Sequence, residues 1–297
     1  MSVKITNEYV DVSGGFVCLK TLREKDNQGT PVLYIHGGPG GSFDSFKPMA
    51  ETLAERHTVY LYNQLGSDES SHTGEESLWT PDRYIETLGG IIGGIGAKPL
   101  HLIGHSWGAY LAAEHLLRNP DSTIASVTMI SPLFSTRLWI SDAKKRLAEL
   151  GEDYLAAVER CESEVHFDDH LYKKIIGEYN KNFQFRAGAL SRYSVTAAFK
   201  PKTISGMKVY RYMWGPSEFT CTGILKDIDI TGRLGEIKVP SLLICGEFDE
   251  VRAESCEYFR SLIPGAKMEI IHGASQTSFL EQPRSFYATL RGFYDAL

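Results

Sequence analysis

Cysteine is sparse and unpaired. Cys18, Cys161, Cys221, Cys245 and Cys256 are scattered over 297 residues, odd in number and without a C-x-x-C spacing. Neither a zinc site nor a disulfide framework is supported, and a reducing cytoplasm is the simplest compartment to expect. Long apolar runs are missing as well. The longest, such as "PVLYI" and "SLLICG", have the length of strands and fall far short of the ~20 residues that span a bilayer. The N-terminal "MSVKITNEYV" lacks the basic-then-apolar order of a secretory signal. No run of Lys and Arg tracks a phosphate backbone, and the formal net charge is −6, so neither a nucleic acid nor a membrane is expected as a partner. The glycine-rich "HGGPGG" is not followed by G-K-[ST] and fits no dinucleotide spacing, which argues against a nucleotide cofactor.

What is present is an alternation of short apolar runs with longer amphipathic segments. "PVLYI", "VYLYNQ", "LHLIGHS", "IASVTMISP" and "SLLICGEFDE" read as buried strands, and "KMEIIHG" as one that alternates. "WGAYLAAEHLLRNP" has helical spacing and a stop at Asn119-Pro120. Such alternation predicts a mostly parallel sheet with helices on both faces, an α/β fold. From about Phe134 to about Leu234 the strand-like runs disappear and helical, polar sequence takes over. The organisation expected is two core segments, 1–133 and 235–297, around an inserted helical cap, 134–234. The cap should sit over the carboxyl ends of the strands, where open α/β sheets bind ligands.

Three motifs carry chemistry. Gly104-His105-Ser106-Trp107-Gly108 is a G-x-S-x-G placed between a strand and a helix. A turn that tight needs small flanking residues, and it lifts the Ser106 hydroxyl beside a helix N-terminus as a nucleophile. "HGGPGG", His36 to Gly41, can bring a backbone N–H to the oxyanion of an acyl-transfer intermediate. Gly38 is the first donor expected and Trp107 the second, with His36 orienting the loop. "LLICGEFDE" ends a strand in carboxylates, of which Asp249 is placed to hold a histidine ring.

Together these residues resemble the proline iminopeptidase family of α/β-hydrolases. "HGGPGG", "YNQLGS", "GHSWG", "GPSEFTCTGILKDIDIT" and "GEFDE" match in order and spacing over nearly the whole chain. The resemblance implies a serine aminopeptidase or amino-acid amidase, using no metal or other cofactor and acting on small peptides or amides through an acyl-enzyme. It implies that Glu218, in "GPSEF", and Glu250 bind the substrate's α-ammonium. Trp107, Trp214, Phe43 and Phe219 are candidates for an apolar pocket wall. Asn63 and Ala109 depart mildly from the family pattern.

One departure is of another order. "GASQTSFLEQP" keeps the glycine, the serine and the helix-like tail of the family's histidine loop, but Gln276 stands where the histidine belongs. Glutamine can donate and accept hydrogen bonds. It cannot take a proton near neutral pH and return it. Three accounts stand open: an inactivated form of an active enzyme, a relative with altered chemistry such as ester hydrolysis, cyclisation or binding without turnover, or His272 acting as base. The last places the ring too early, at the end of the strand.

Overall fold

Alternation along the strands sorts apolar side chains into two layers. In β3 (Gly29–Ile35), Leu33 and Ile35 join one core while Val32 and Tyr34 join the other. β5 (Leu100–His105) and β7 (Ser241–Gly246) divide likewise: Leu102, Leu243 and Cys245 face the first layer, Ile103, Leu242 and Ile244 the second. Both faces are therefore covered, as parallel strands between helices require. The structure is a computed structural model and describes residues 3–72, 74–120, 123–186 and 203–297.

Among the described residues the sheet has eight strands. β1 (Lys4–Val12), β2 (Gly15–Arg23), β4 (His57–Tyr62), β6 (Ile124–Ile130) and β8 (Lys267–Ile271) complete it, in the order β1-β2-β4-β3-β5-β6-β7-β8. From β4 to β8 all pairings are parallel, whereas β1 and β2 form an antiparallel hairpin that pairs antiparallel with β4. That hairpin has no continuous apolar run to announce it. β1 is an edge strand and is exposed along most of its length.

Helices α2 (Pro81–Ile95), α3 (Trp107–Arg118) and α8 (Ala253–Leu262) cover the first layer; α1 (Lys47–Ala54), α9 (Ser278–Glu281) and α10 (Pro283–Tyr294) cover the second. α2 shows why such segments fold locally. The Thr80 hydroxyl accepts from the Arg83 N–H, Pro81 occupies the first turn, and Gly96 ends the helix at φ 63°.

The helical segment between β6 and β7, expected to cap the site, leaves the sheet and returns at one place. Thr136 N–H donates to Ile228 O at 2.9 Å, Ile230 N–H donates to Phe134 O at 2.9 Å, and Ser135 Oγ donates to Asp229 Oδ2 at 3.1 Å. Between these points lie α4 (Thr136–Leu150), α5 (Glu152–Ser163), α6 (His170–Tyr179), a π-helical turn Asn180–Gln184, and α7 (Ile204–Met213). Ala143, Leu147, Val158, Tyr172, Ile175 and Phe219 give the cap a small core of its own. Residues 187–202 of this segment lie outside the described residues. Among the described residues no helix is long and apolar enough to cross a membrane.

Candidate active site

Ser106 sits between β5 and α3 with φ 54° and ψ −115°, a backbone conformation that non-glycine residues rarely adopt. Its neighbours enforce the turn. A Cβ on Gly104 would lie 2.6 Å from the Ala109 Cα, and one on Gly108 would overlap the Ile35 carbonyl oxygen. The strand-to-helix crossing is therefore closed to larger residues at both glycines. Ser106 N–H donates to Ile130 O at 2.8 Å, which ties the turn to the adjacent strand. Trp107 opens α3, so its N–H belongs to the helix's first turn, where the helix itself supplies no acceptor.

The glycine loop lies directly against this turn. A Cβ on Gly37 would stand 3.3 Å from the Ser106 Cβ, and Gly38 has φ 134°, a conformation that favours glycine. His36 fixes the loop and is buried. Its Nε2 accepts from the Gln64 backbone N–H at 3.0 Å, so the ring proton sits on Nδ1, 2.7 Å from the Gly37 carbonyl that accepts it. Gln64 donates its amide to His36 O at 2.8 Å and accepts from the Trp107 indole at 3.0 Å. One buried glutamine thus links the segments of the two expected oxyanion donors, and His36 is hydrogen-bonded within the loop.

Asp249 follows β7 and is fully buried. Its Oδ2 accepts from Ser131 Oγ at 2.6 Å and from Gly246 N–H at 2.9 Å, and its Oδ1 accepts from Val251 N–H at 3.2 Å. Burial pushes its pKa up to about 7 in spite of these donors. Arg146 of the cap does not bond the carboxylate. Its guanidinium donates to the backbone carbonyls of Asp249 at 2.8 Å and Glu247 at 3.0 Å, pinning the acid loop from above.

Gln276 lies in the loop after β8 and is 5% exposed. The loop is held by Glu281, which accepts from Ser275 N–H at 2.9 Å, Ser275 Oγ at 2.5 Å and Thr277 Oγ1 at 2.8 Å. The Gln276 carbonyl accepts from Ser131 Oγ at 3.3 Å, so Ser131 touches both Asp249 and the Gln276 loop. Among the described residues no hydrogen bond joins the Gln276 side-chain amide to Ser106 or Asp249.

The serine turn, the glycine loop and the Gln276 loop meet at one cavity of about 420 Å³, lined by Gly37, Gly38, Ser106 and Gln276 and, from the helical segment after β6, by Tyr210 and Glu218, among others; Asp249 is not a lining residue. Its size falls within the usual range for small-molecule sites. Glu218 Oε1 accepts from the Gln184 amide at 3.2 Å. His105 also lines the cavity, and burial lowers its pKa to about 4, so it is neutral near pH 7. Glu250 is fully buried and is not among the lining residues. Its charge still reaches the cavity wall: burial first, then Glu218 and Glu250, raise the pKa of Tyr210 well above that of a free phenol.

The similarity to known proteins agrees with this geometry. Residues 30–283 match the alpha/beta hydrolase fold family. A proline iminopeptidase from Heyndrickxia coagulans is 36% identical over 292 residues, covering 98% of this chain and 99% of that protein. The chain belongs to the proline iminopeptidase family of α/β-hydrolases. The solved structure of proline iminopeptidase from Mycobacterium smegmatis is similar at a TM-score of 0.87, with 26% identity and 98% of each chain covered. VinJ shares the fold at a TM-score of 0.89, with 24% identity over 98% of this chain and 99% of that one.

Within this member of the proline iminopeptidase family, some expected positions fall elsewhere. Trp107, Trp214, Phe43 and Phe219 are all buried and none lines the cavity; they are core. His272 has an 86% exposed side chain and faces Glu247 at 3.5 Å on the outer surface, so it is not part of the site. Gln64, Ser131 and Arg146 carry no mark in the sequence. Their partners at the candidate site are 28 to 145 positions away in the chain, and no local pattern marks them.

Proposed function

We propose that the chain binds short peptides or amino-acid amides by their free amino end, with Ser106 as the nucleophile of a serine aminopeptidase or amidase whose proton shuttle is missing. The observation that carries this reading is the single cavity shared by Ser106, the Gly37–Gly38 loop, Glu218 and Gln276. Glu218 offers a carboxylate to the substrate's α-ammonium, which would otherwise lose several kcal/mol on leaving water. Glu250, the second carboxylate expected for the amine, is buried and does not line the cavity. Ser106 attacks the carbonyl carbon of the N-terminal residue, and the N–H groups of Gly38 and Trp107 take the oxyanion. The name shared by the relatives makes an N-terminal proline the first residue to try.

The step that fails is proton transfer. Gln276 can neither accept the Ser106 proton near neutral pH nor hand it to a leaving amine. Loss of the histidine from a serine triad lowers turnover by about 10⁶, leaving ~10³ to 10⁴ over water from the oxyanion hole and binding. Ligand binding survives that loss, so the amine site is testable on the unaltered chain. Prolinamide should bind at least about tenfold more tightly than N-acetylprolinamide, which has no ammonium, and Glu218→Gln should remove the preference. Equal binding of the two ligands by the unaltered chain would refute the amine site.

A further inference from the structure

The cavity that holds Ser106 and Glu218 contains one feature that an amine site does not need. Arg211, on α7, also lines it. Three observations set this side chain apart. Among the described residues it is the only cationic lining residue, since His105 is neutral near pH 7. It forms no ion pair with any described residue. Two acids are engaged with lysines: Asp168, whose carboxylate feels the Arg211 charge, is paired with Lys173 at 3.0 Å, and Asp44 on the cavity wall is paired with Lys47. Asp68 also lines the cavity, half-buried, and does not pair with Arg211.

Its placement is set by the fold. Thr203, Met207, Tyr210 and Arg211 line the cavity at helical spacing, so one face of α7 forms part of the wall. The same helix is locked to the oxyanion loop, because the backbones of Gly206 and Gly40 approach so closely that a Cβ on either would overlap the other's carbonyl oxygen. Arg211 lies five residues beyond that contact, about 7.5 Å along the helix axis. Arg211 and Glu218 thus stand in one cavity with opposite charges and do not pair with each other. A cation and a carboxylate that do not pair, in a cavity of about 420 Å³, are complementary to a small zwitterion.

We infer that Arg211 receives the free C-terminal carboxylate of a short peptide whose α-ammonium is held by Glu218, so that the site selects unblocked di- or tripeptides over amides and longer chains. This rests on the amine site proposed above. An extended peptide advances about 3.3–3.6 Å per residue, so two or three residues place the two termini roughly 5–10 Å apart. A guanidinium suits the task, since its planar fork bonds a carboxylate through two N–H groups.

The test is calorimetric titration of the unaltered chain with prolyl-alanine and with prolyl-alaninamide, at low ionic strength. Both ligands carry the ammonium, and only the first carries a carboxylate. The free acid should bind about 3- to 10-fold more tightly. Arg211→Gln should bring the ratio to about 1, and Arg211→Lys should keep part of it. Arg211 is exposed and forms no ion pair among the described residues, so both variants should fold, which thermal unfolding of each checks. Equal binding of acid and amide by the unaltered chain would overturn the carboxylate contact and leave the amine site standing. A preference that persists in Arg211→Gln would overturn the assignment to Arg211. Binding of neither ligand would overturn both proposals together.

Discussion

Replacing Asp249 with asparagine should make the protein more stable above neutral pH and less stable in weak acid. The Asp249 carboxylate is fully buried, accepts from Ser131, Gly246 and Val251, and has no cation bonded to it, because Arg146 takes the backbone carbonyl instead. Burial raises its folded pKa to about 7, while the unfolded carboxyl titrates near ~3.9. Between these values the folded chain holds a proton that the unfolded chain has lost. Stability therefore falls as pH rises through this window and levels off above about 7. At about 1.36 kcal/mol per pH unit, the whole window amounts to about 4 kcal/mol. Asparagine has no charge to bury. If its oxygen keeps the bonds to Ser131 and Gly246, its NH₂ faces the Val251 N–H and one hydrogen bond is lost, at about 1–2 kcal/mol. The variant should be less stable than the parent by about 1–2 kcal/mol near pH 4 and more stable by about 2–3 kcal/mol near pH 8.5. Urea unfolding of both chains across this range gives the difference directly, with other titrating groups cancelling. A difference that stays flat with pH would refute the reasoning, since Asp249 would then ionise alike in both states.

Gly108→Ala should prevent folding or cost more than about 3 kcal/mol, because the added Cβ would overlap the Ile35 carbonyl and no flexible side chain is there to yield; thermal unfolding checks this. His272→Ala should shift stability by less than about 0.5 kcal/mol and leave any residual turnover unchanged, given its exposed position against Glu247. A loss of turnover in that variant would restore His272 as a candidate base.

The parts of the candidate site that are legible in the sequence are those with a local backbone reason. Ser106 is legible because Gly104 and Gly108 must be glycine for β5 to turn into α3. The glycine loop is legible because it follows a buried strand. Asp249 is legible because a dry strand ending in carboxylates is unusual. The central strands announced themselves as apolar runs, whereas the β1–β2 hairpin, half exposed at the sheet edge, did not. Ser131, Arg146 and Gln64 act only through partners that the topology brings to them. A serine after β6 becomes a bridge between the acid and the Gln276 loop only once β7 lies beside β6, and no spacing encodes that. The four aromatic residues show the converse error. Their composition suits a pocket wall as well as a core, and packing against the cap and the sheet decides for the core.

Turnover of a prolyl arylamide by Gln276→His, measured beside the unaltered chain, tests the central claim most directly. The account predicts near-background hydrolysis by the unaltered chain and a rise in kcat/KM of about 10³ or more in the variant, with Ser106→Ala abolishing the gain. Equal rates in the two chains, or rapid hydrolysis by the unaltered one, would contradict it.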